Sequence, residues 1–157
     1  MKQRINVYEK GSGAVKAMFG LGVYLRKSPV ERMLLHLVYQ RVSQINGCAY
    51  CLDMHSKDLR AGGETEQRIY MLDAWQESPV YTARERAALA WAEALTKITE
   101  GHVPDEVYEV AKEQFSEEEL IDLTLAVTTI NTYNRINIAF RTPAGTYTVG
   151  QHAVQAN

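Results

Sequence analysis

Apolar residues recur along this chain at three- and four-residue intervals, the period of helices, and no segment sustains the alternation of a strand. The clearest run is Met33, Leu34, Leu37, Val38, Val42 and Ile45. Ser28-Pro29 precedes it: serine caps, proline suits the first helical position, and Glu31 suits the first turn, so a helix is predicted from Ser28. Asn46-Gly47 ends that helix, because glycine accepts the positive φ that closes one. The next helix is predicted to begin at Cys48-Ala49-Tyr50-Cys51 and to stop at Gly62-Gly63. Ala14 to Lys27 carries a weaker helical pattern interrupted by Gly20 and Gly22, and residues 1–10 carry little signal.

Further along, Thr65 to Trp75 reads as a short helix with Ile69, Met71, Leu72 and Trp75 inward. Thr82-Ala83-Arg84-Glu85 fits a capping box and opens a helix through Ala87, Ala88, Leu89, Ala92, Leu95 and Ile98, with Gly101 as its stop. Pro104 opens another to about Phe115. Ser116-Glu117-Glu118-Glu119 is a second capping box before an apolar helix that reaches about Phe140. The pattern predicts an all-α single domain of about six to eight helices. From Arg141 onward, Pro143, Gly145, Gly150 and several threonines predict an extended tail, either disordered or packed on a neighbouring subunit.

Composition changes this picture little. A chain of 157 residues with 46% hydrophobic and 23% charged residues buries a core without staples. A net charge of −2 excludes a basic nucleic-acid groove. No apolar run approaches the roughly 18 residues of a membrane span, and the N-terminus lacks a signal-peptide core, so a cytoplasmic protein is expected.

Chemistry concentrates between Asn46 and Asp58, where both cysteines of the chain form a C-x-x-C with His55 four residues beyond the second. On a helix, Cys48, Cys51 and His55 share a face. In a reducing compartment a lone pair of this kind is a redox or metal element rather than a staple. Cys48 and Cys51 fall in a first helical turn, where free N–H groups and the macrodipole favour thiolate. Helix geometry favours Cys48 as the attacking sulfur, nearer the positive end and the more exposed. His55 as a proton acceptor favours Cys51, directly or through one water.

The run Arg41 to His55 resembles the alkylhydroperoxidase D-like branch of the carboxymuconolactone decarboxylase family. The likeness extends through Gly63–Arg68, Thr82–Ala92, Leu123–Ala126 and Asn131–Arg135, covering about residues 29–140. It implies a compact helical domain assembled as a homotrimer or homohexamer. The implied activity is reduction of hydroperoxides, or recycling of a peroxiredoxin-like partner, by cycling dithiol and disulfide with an external dithiol and without haem, flavin or nucleotide. By that resemblance Cys51 attacks the peroxide, Cys48 resolves the sulfenic acid, and His55 belongs to a proton relay. Two positions depart from the pattern. His36 stands where the relay usually has a glutamate, twelve residues before Cys48, and Tyr50 stands where the best-known peroxidase has a histidine. A histidine relays protons and a tyrosine hydroxyl hydrogen-bonds, but the carboxylate that would orient His55 is missing, so the expected peroxidase activity is weak, altered or lost.

A second reading of the same side chains is a Cys₂His₂ zinc or redox-sensing site of Cys48, Cys51, His55 and His36. Asn131, Tyr133, Asn134 and Arg135 form a polar patch in an otherwise apolar helix, either an anchor near the thiols or groups satisfied at a helix interface. Trp75 and Trp91 read as core, Glu117–Glu119 as capping, and His102 and His152 have no assigned role.

Overall fold

A computed structural model describes residues 2–152. Its described residues form eight α-helices: α1 (Val7–Lys10), α2 (Ser12–Leu25), α3 (Arg32–Asn46), α4 (Ala49–Ala61), α5 (Glu66–Met71), α6 (Ala83–Thr96), α7 (Asp105–Gln114) and α8 (Glu117–Phe140). Two 3₁₀ turns, Leu72–Ala74 and Ile98–Glu100, extend α5 and follow α6. No strand occurs among the described residues.

α3 is the axis of the molecule and packs against α4, α6 and α8. It is buried on two sides, which explains why its apolar residues outnumber one stripe. On one side Val38 and Val42 join Cys48, Cys51, Leu123, Ala126 and Val127 in the larger core cluster. On the other, Leu37 meets Leu59, Leu72, Trp75 and Leu89 in a smaller one. Each such aliphatic side chain contributes about 1.5–3 kcal/mol by leaving water. Arg41 crosses between them with its guanidinium on Glu93, Nε to Oε1 at 2.7 Å, and on Asp73. Glu93 Oε1 also accepts from Trp75 Nε1 at 2.7 Å, so this buried cation has its partners. Trp91 is likewise core, its Nε1 donating to Thr124 Oγ1 at 3.0 Å.

Both capping boxes form as the sequence predicts: Glu85 N donates to Thr82 Oγ1 and Thr82 N to Glu85 Oε2, and Ser116 and Glu119 repeat the exchange. Three boundaries differ. α3 begins at Arg32, not Ser28, because the Ser28 hydroxyl accepts from Val30 N in a turn that seats Val30 in the core. α6 stops at Thr96 rather than Gly101, the interval being taken up by the second 3₁₀ turn. The first ten residues contain α1, capped by Asn6 accepting from Glu9 N.

The described part of the tail is ordered against its own chain. Residues up to His152 fold back along α4 of the same chain; residues 153–157 lie outside the described residues. Asp53 Oδ2 accepts from Gly145 N at 2.9 Å, Lys57 Nζ donates to Tyr147 O at 2.9 Å, and Tyr147 Oη donates to Asp58 Oδ1 at 2.8 Å. No periodicity announces this segment, since its conformation is set by bonds to a helix about ninety residues away. Among the described residues no helix is long and apolar enough to cross a membrane.

Candidate active site

Gly47 creates the site. Its φ of 69° ends α3, and two backbone bonds close the turn: Gly47 N to Gln44 O at 3.1 Å and Cys48 N to Ser43 O at 3.0 Å. The chain then re-enters a helix at once, with Cys48 as the N-cap of α4 and Cys51 in its first turn. Both cysteines are reduced and both are buried, Cys48 1% exposed and Cys51 0%. Neither sulfur is open to solvent, so exposure does not separate Cys48 from Cys51; the helix start that carries them is packed under α8.

The two sulfurs share a proton. Cys51 donates to Cys48, and together with the backbone N–H groups of Tyr50 and Cys51 this holds the Cys48 thiol below its usual range. Its hydrogen bond to Cys48, burial and the charge that develops on Cys48 push Cys51 upward. Of the pair, Cys48 is therefore the first to lose its proton.

α8 supplies amides to this pair. Asn137 Nδ2 donates to Cys51 Sγ at 3.5 Å, and Asn134 favours the anion at either sulfur. Asn134 is wholly buried; its Oδ1 accepts from Asn46 Nδ2 at 2.9 Å and its Nδ2 donates to Ser43 Oγ at 3.1 Å. Asn131 Oδ1 accepts from the same Asn46 at 3.0 Å. The polar patch thus anchors the α3–α4 junction. Asn137 extends it at the same three-residue step, a spacing visible in the sequence but not weighed there.

A cavity of about 550 Å³ lies beside the thiols, between α2, α3, α4, α8 and the folded-back tail. Tyr39, Tyr50, Met54, His55, Tyr133, Asn137 and Tyr147 are on its wall, and neither cysteine is. Asn137 is the bridge, reaching the cavity on one side and Cys51 on the other. Tyr50 Oη meets His152 Nε2 at 2.8 Å, which brings a tail histidine with no role assigned from sequence into the wall. Burial pushes the Tyr39 and Tyr50 hydroxyls far up and those of Tyr133 and Tyr147 up to about 12, so all four stay neutral donors at ordinary pH.

His55 does not hydrogen-bond Cys51. Both of its ring nitrogens lack a partner, and the ring lies 5.1 Å from that of Tyr39 and 5.8 Å from that of His36, centroid to centroid, facing α3. Burial, aided by the neighbouring His36, lowers its pKa to about 3, and burial lowers His36 as well. A carboxylate does stand near these rings, although position 36 itself carries a histidine. Asp58, three residues past His55 on the same helix, brings a carboxylate oxygen within 4.8 Å of ring nitrogens of both His36 and His55. The Cys₂His₂ grouping does not assemble: the side chains whose donor atoms converge are His36, His55 and Asp58, because the sulfurs turn toward α8 and the imidazoles toward α3.

The sequence profile of the carboxymuconolactone decarboxylase family matches residues 13–94. An uncharacterized protein of Bacillus subtilis, YdfG, is 45% identical over 139 residues, 88% of this chain and 95% of that protein. A crystal structure of an Agrobacterium tumefaciens protein of unknown function, a candidate antioxidant-defence AhpD protein, superposes with a TM-score of 0.90 at 44% identity, covering 93% of this chain and all of that one. The debrominase Bmp8 shares the fold at a TM-score of 0.78 and 23% identity, covering 88% of this chain and 74% of its own. One scaffold thus carries more than one chemistry, and activity has to be argued from the site. By profile, sequence and fold, the chain belongs to the carboxymuconolactone decarboxylase family, in its AhpD-like branch.

Proposed function

We infer that this protein reduces hydroperoxides, or passes electrons to a peroxiredoxin-like partner, by cycling Cys48 and Cys51 between dithiol and disulfide. The observation that carries the reading is the reduced pair itself, joined sulfur to sulfur and backed by Asn134 and Asn137 at the edge of an aromatic cavity. Shifting the shared proton from Cys51 to Cys48 makes Cys51 the thiolate on the Asn137 side, next to the cavity. Its sulfur attacks the terminal oxygen of the hydroperoxide, the O–O bond breaks, and the departing alkoxide takes a proton and leaves as an alcohol. Cys51 is then a sulfenic acid. Cys48 attacks that sulfur, water leaves, and the disulfide forms; an external dithiol restores both thiols. His55, His36 and Asp58 line the same cavity, and in this reading they supply the proton that the alkoxide takes. A cavity of about 550 Å³ walled by tyrosines suits an organic hydroperoxide better than hydrogen peroxide. The same reading includes a homotrimer or homohexamer, for which sedimentation is the test.

Peroxide consumption with a dithiol donor separates the two sulfurs. Cys51→Ser is expected to abolish turnover, and Cys48→Ser to consume one equivalent and stop as a sulfenic acid. The reverse pattern would exchange their roles, and unchanged turnover in both variants would end the thiol mechanism.

A further inference from the structure

We propose that His36, His55 and Asp58 form a binding site for a divalent transition-metal ion, with zinc as the reference ion. This goes beyond the thiol reading and uses none of its sulfurs. Two neighbouring helices build the site: His36 from α3 faces His55 and Asp58, which are three residues apart on α4. One ring nitrogen from each histidine and one carboxylate oxygen lie within 4.8 Å of one another. Around a tetrahedral zinc with bonds of about 2.0–2.1 Å, such atoms sit roughly 3.3 Å apart, a closure within reach of small side-chain rotations.

The hydrogen-bond pattern points to a ligand independently of the distances. His55 is 5% exposed, yet both its ring nitrogens are unpartnered, and His36 Nδ1 is buried and unpartnered beside it. A cation between the rings satisfies one nitrogen of each, through the single lone pair that a neutral imidazole offers, and both histidines are held neutral by burial. Asp58 is already supported as ligating carboxylates are, with Tyr147 Oη donating to its Oδ1 at 2.8 Å. Two imidazoles and one carboxylate select Zn²⁺, Co²⁺ or Fe²⁺ over Mg²⁺ or Ca²⁺, and the cavity beside them leaves a coordination position for water or substrate. The opposing charge is Arg32, which bears on His36 but is exposed and screened by solvent, while Asp58 attracts from the other side.

The test is a titration of tag-free protein with Co²⁺, followed by absorption and calorimetry, in the wild type and in the Cys48→Ser/Cys51→Ser double variant. One ion per chain is expected in both, with visible ligand-field bands and without the intense sulfur-to-metal band of a thiolate site. His36→Gln and Asp58→Asn are each expected to weaken binding tenfold or more with an unchanged far-ultraviolet dichroism spectrum. Zn²⁺ is expected to displace Co²⁺. Absence of saturable binding overturns the proposal, as does binding that needs the cysteines or ignores both substitutions. Should the double variant fail to fold, the wild-type spectrum alone decides, since nitrogen and oxygen ligation is told from sulfur ligation by that band.

Discussion

The two halves of the site differ in how far their polar atoms are satisfied. On the thiol half, amides and backbone groups converge on the sulfurs: Asn134, Asn137 and the first N–H groups of α4 all favour an anion there. On the imidazole half, less than two helical turns along α4, three buried ring nitrogens have no partner. The first half is preorganised for a negative charge at its sulfurs. The second holds its histidines neutral by burial, with ring nitrogens that no protein group satisfies. An anion-favouring pocket can therefore be built by packing and amides alone, whereas the imidazole half leaves its polar atoms open.

The largest expected effect follows from the neutral histidines. His55 has a pKa of about 3 in the folded protein against about 6.5 when unfolded. Above pH 6.5 neither state is protonated and the group is silent. As pH falls from 6.5 toward 3 the unfolded chain takes up the proton and the folded one does not, so stability falls across that window. His36 shifts in the same direction. The shift at His55 corresponds to roughly 5 kcal/mol at most, reached only below pH 3. Denaturation of the wild type and of His55→Gln between pH 7 and 4 measures it: the slope with pH is expected to be shallower in the variant. Equal slopes would mean that His55 is protonated as readily in the folded chain as in the unfolded one, and the contrast between the halves would disappear.

The amide anchor comes next. Asn134→Ala leaves buried Ser43 without its donor and Asn46 with one acceptor fewer, a loss of about 2–3 kcal/mol in chemical denaturation. It also removes a group that favours the anion at both sulfurs, so the first thiol pKa, read from thiolate ultraviolet absorbance, is expected to rise. Asn131→Ala, half-exposed and one helical turn away, is expected to cost less than about 1 kcal/mol and to leave the thiol titration unmoved. Equal thiol shifts in the two variants would show that the thiolate is held by the helix start rather than by α8.

These contrasts were unevenly legible in the sequence. The thiol half was readable because its determinants are local: a glycine that ends one helix, a cysteine that starts the next, and two capping boxes that fix α6 and α8. Asn137 and Asp58 followed signals of the same kind, three residues after Asn134 and His55, but an amide among isoleucines and an acid on a helix flank do not declare which neighbour they face. The tail was not readable. Tyr147 and His152 reach the cavity through bonds to Asp58 and Tyr50 that span about ninety and a hundred residues, and no local pattern encodes them. Likewise the gathering of His36 with His55 depends on the angle between α3 and α4, so the Cys₂His₂ alternative to the favoured relay stayed open until the side chains were in place.

The smallest expected effect gives the finest test of the imidazole half. By position, His36 replaces a relay glutamate, and restoring it would be expected to raise activity steeply if no carboxylate were near. Asp58 changes that expectation, because a carboxylate oxygen already lies within 4.8 Å of both rings. His36→Glu is therefore expected to alter hydroperoxide turnover by less than about threefold, roughly 0.6 kcal/mol in the barrier. Asp58→Asn is expected to lose more than His36→Glu gains, and the double variant to recover most of that loss, since one carboxylate beside His55 suffices. A tenfold gain from His36→Glu alone would mean that Asp58 is committed to Tyr147 and does not serve His55. The unpartnered nitrogens would then mark a weakened relay, and the difference between the two halves would be one of lost function rather than of a site awaiting its ligand.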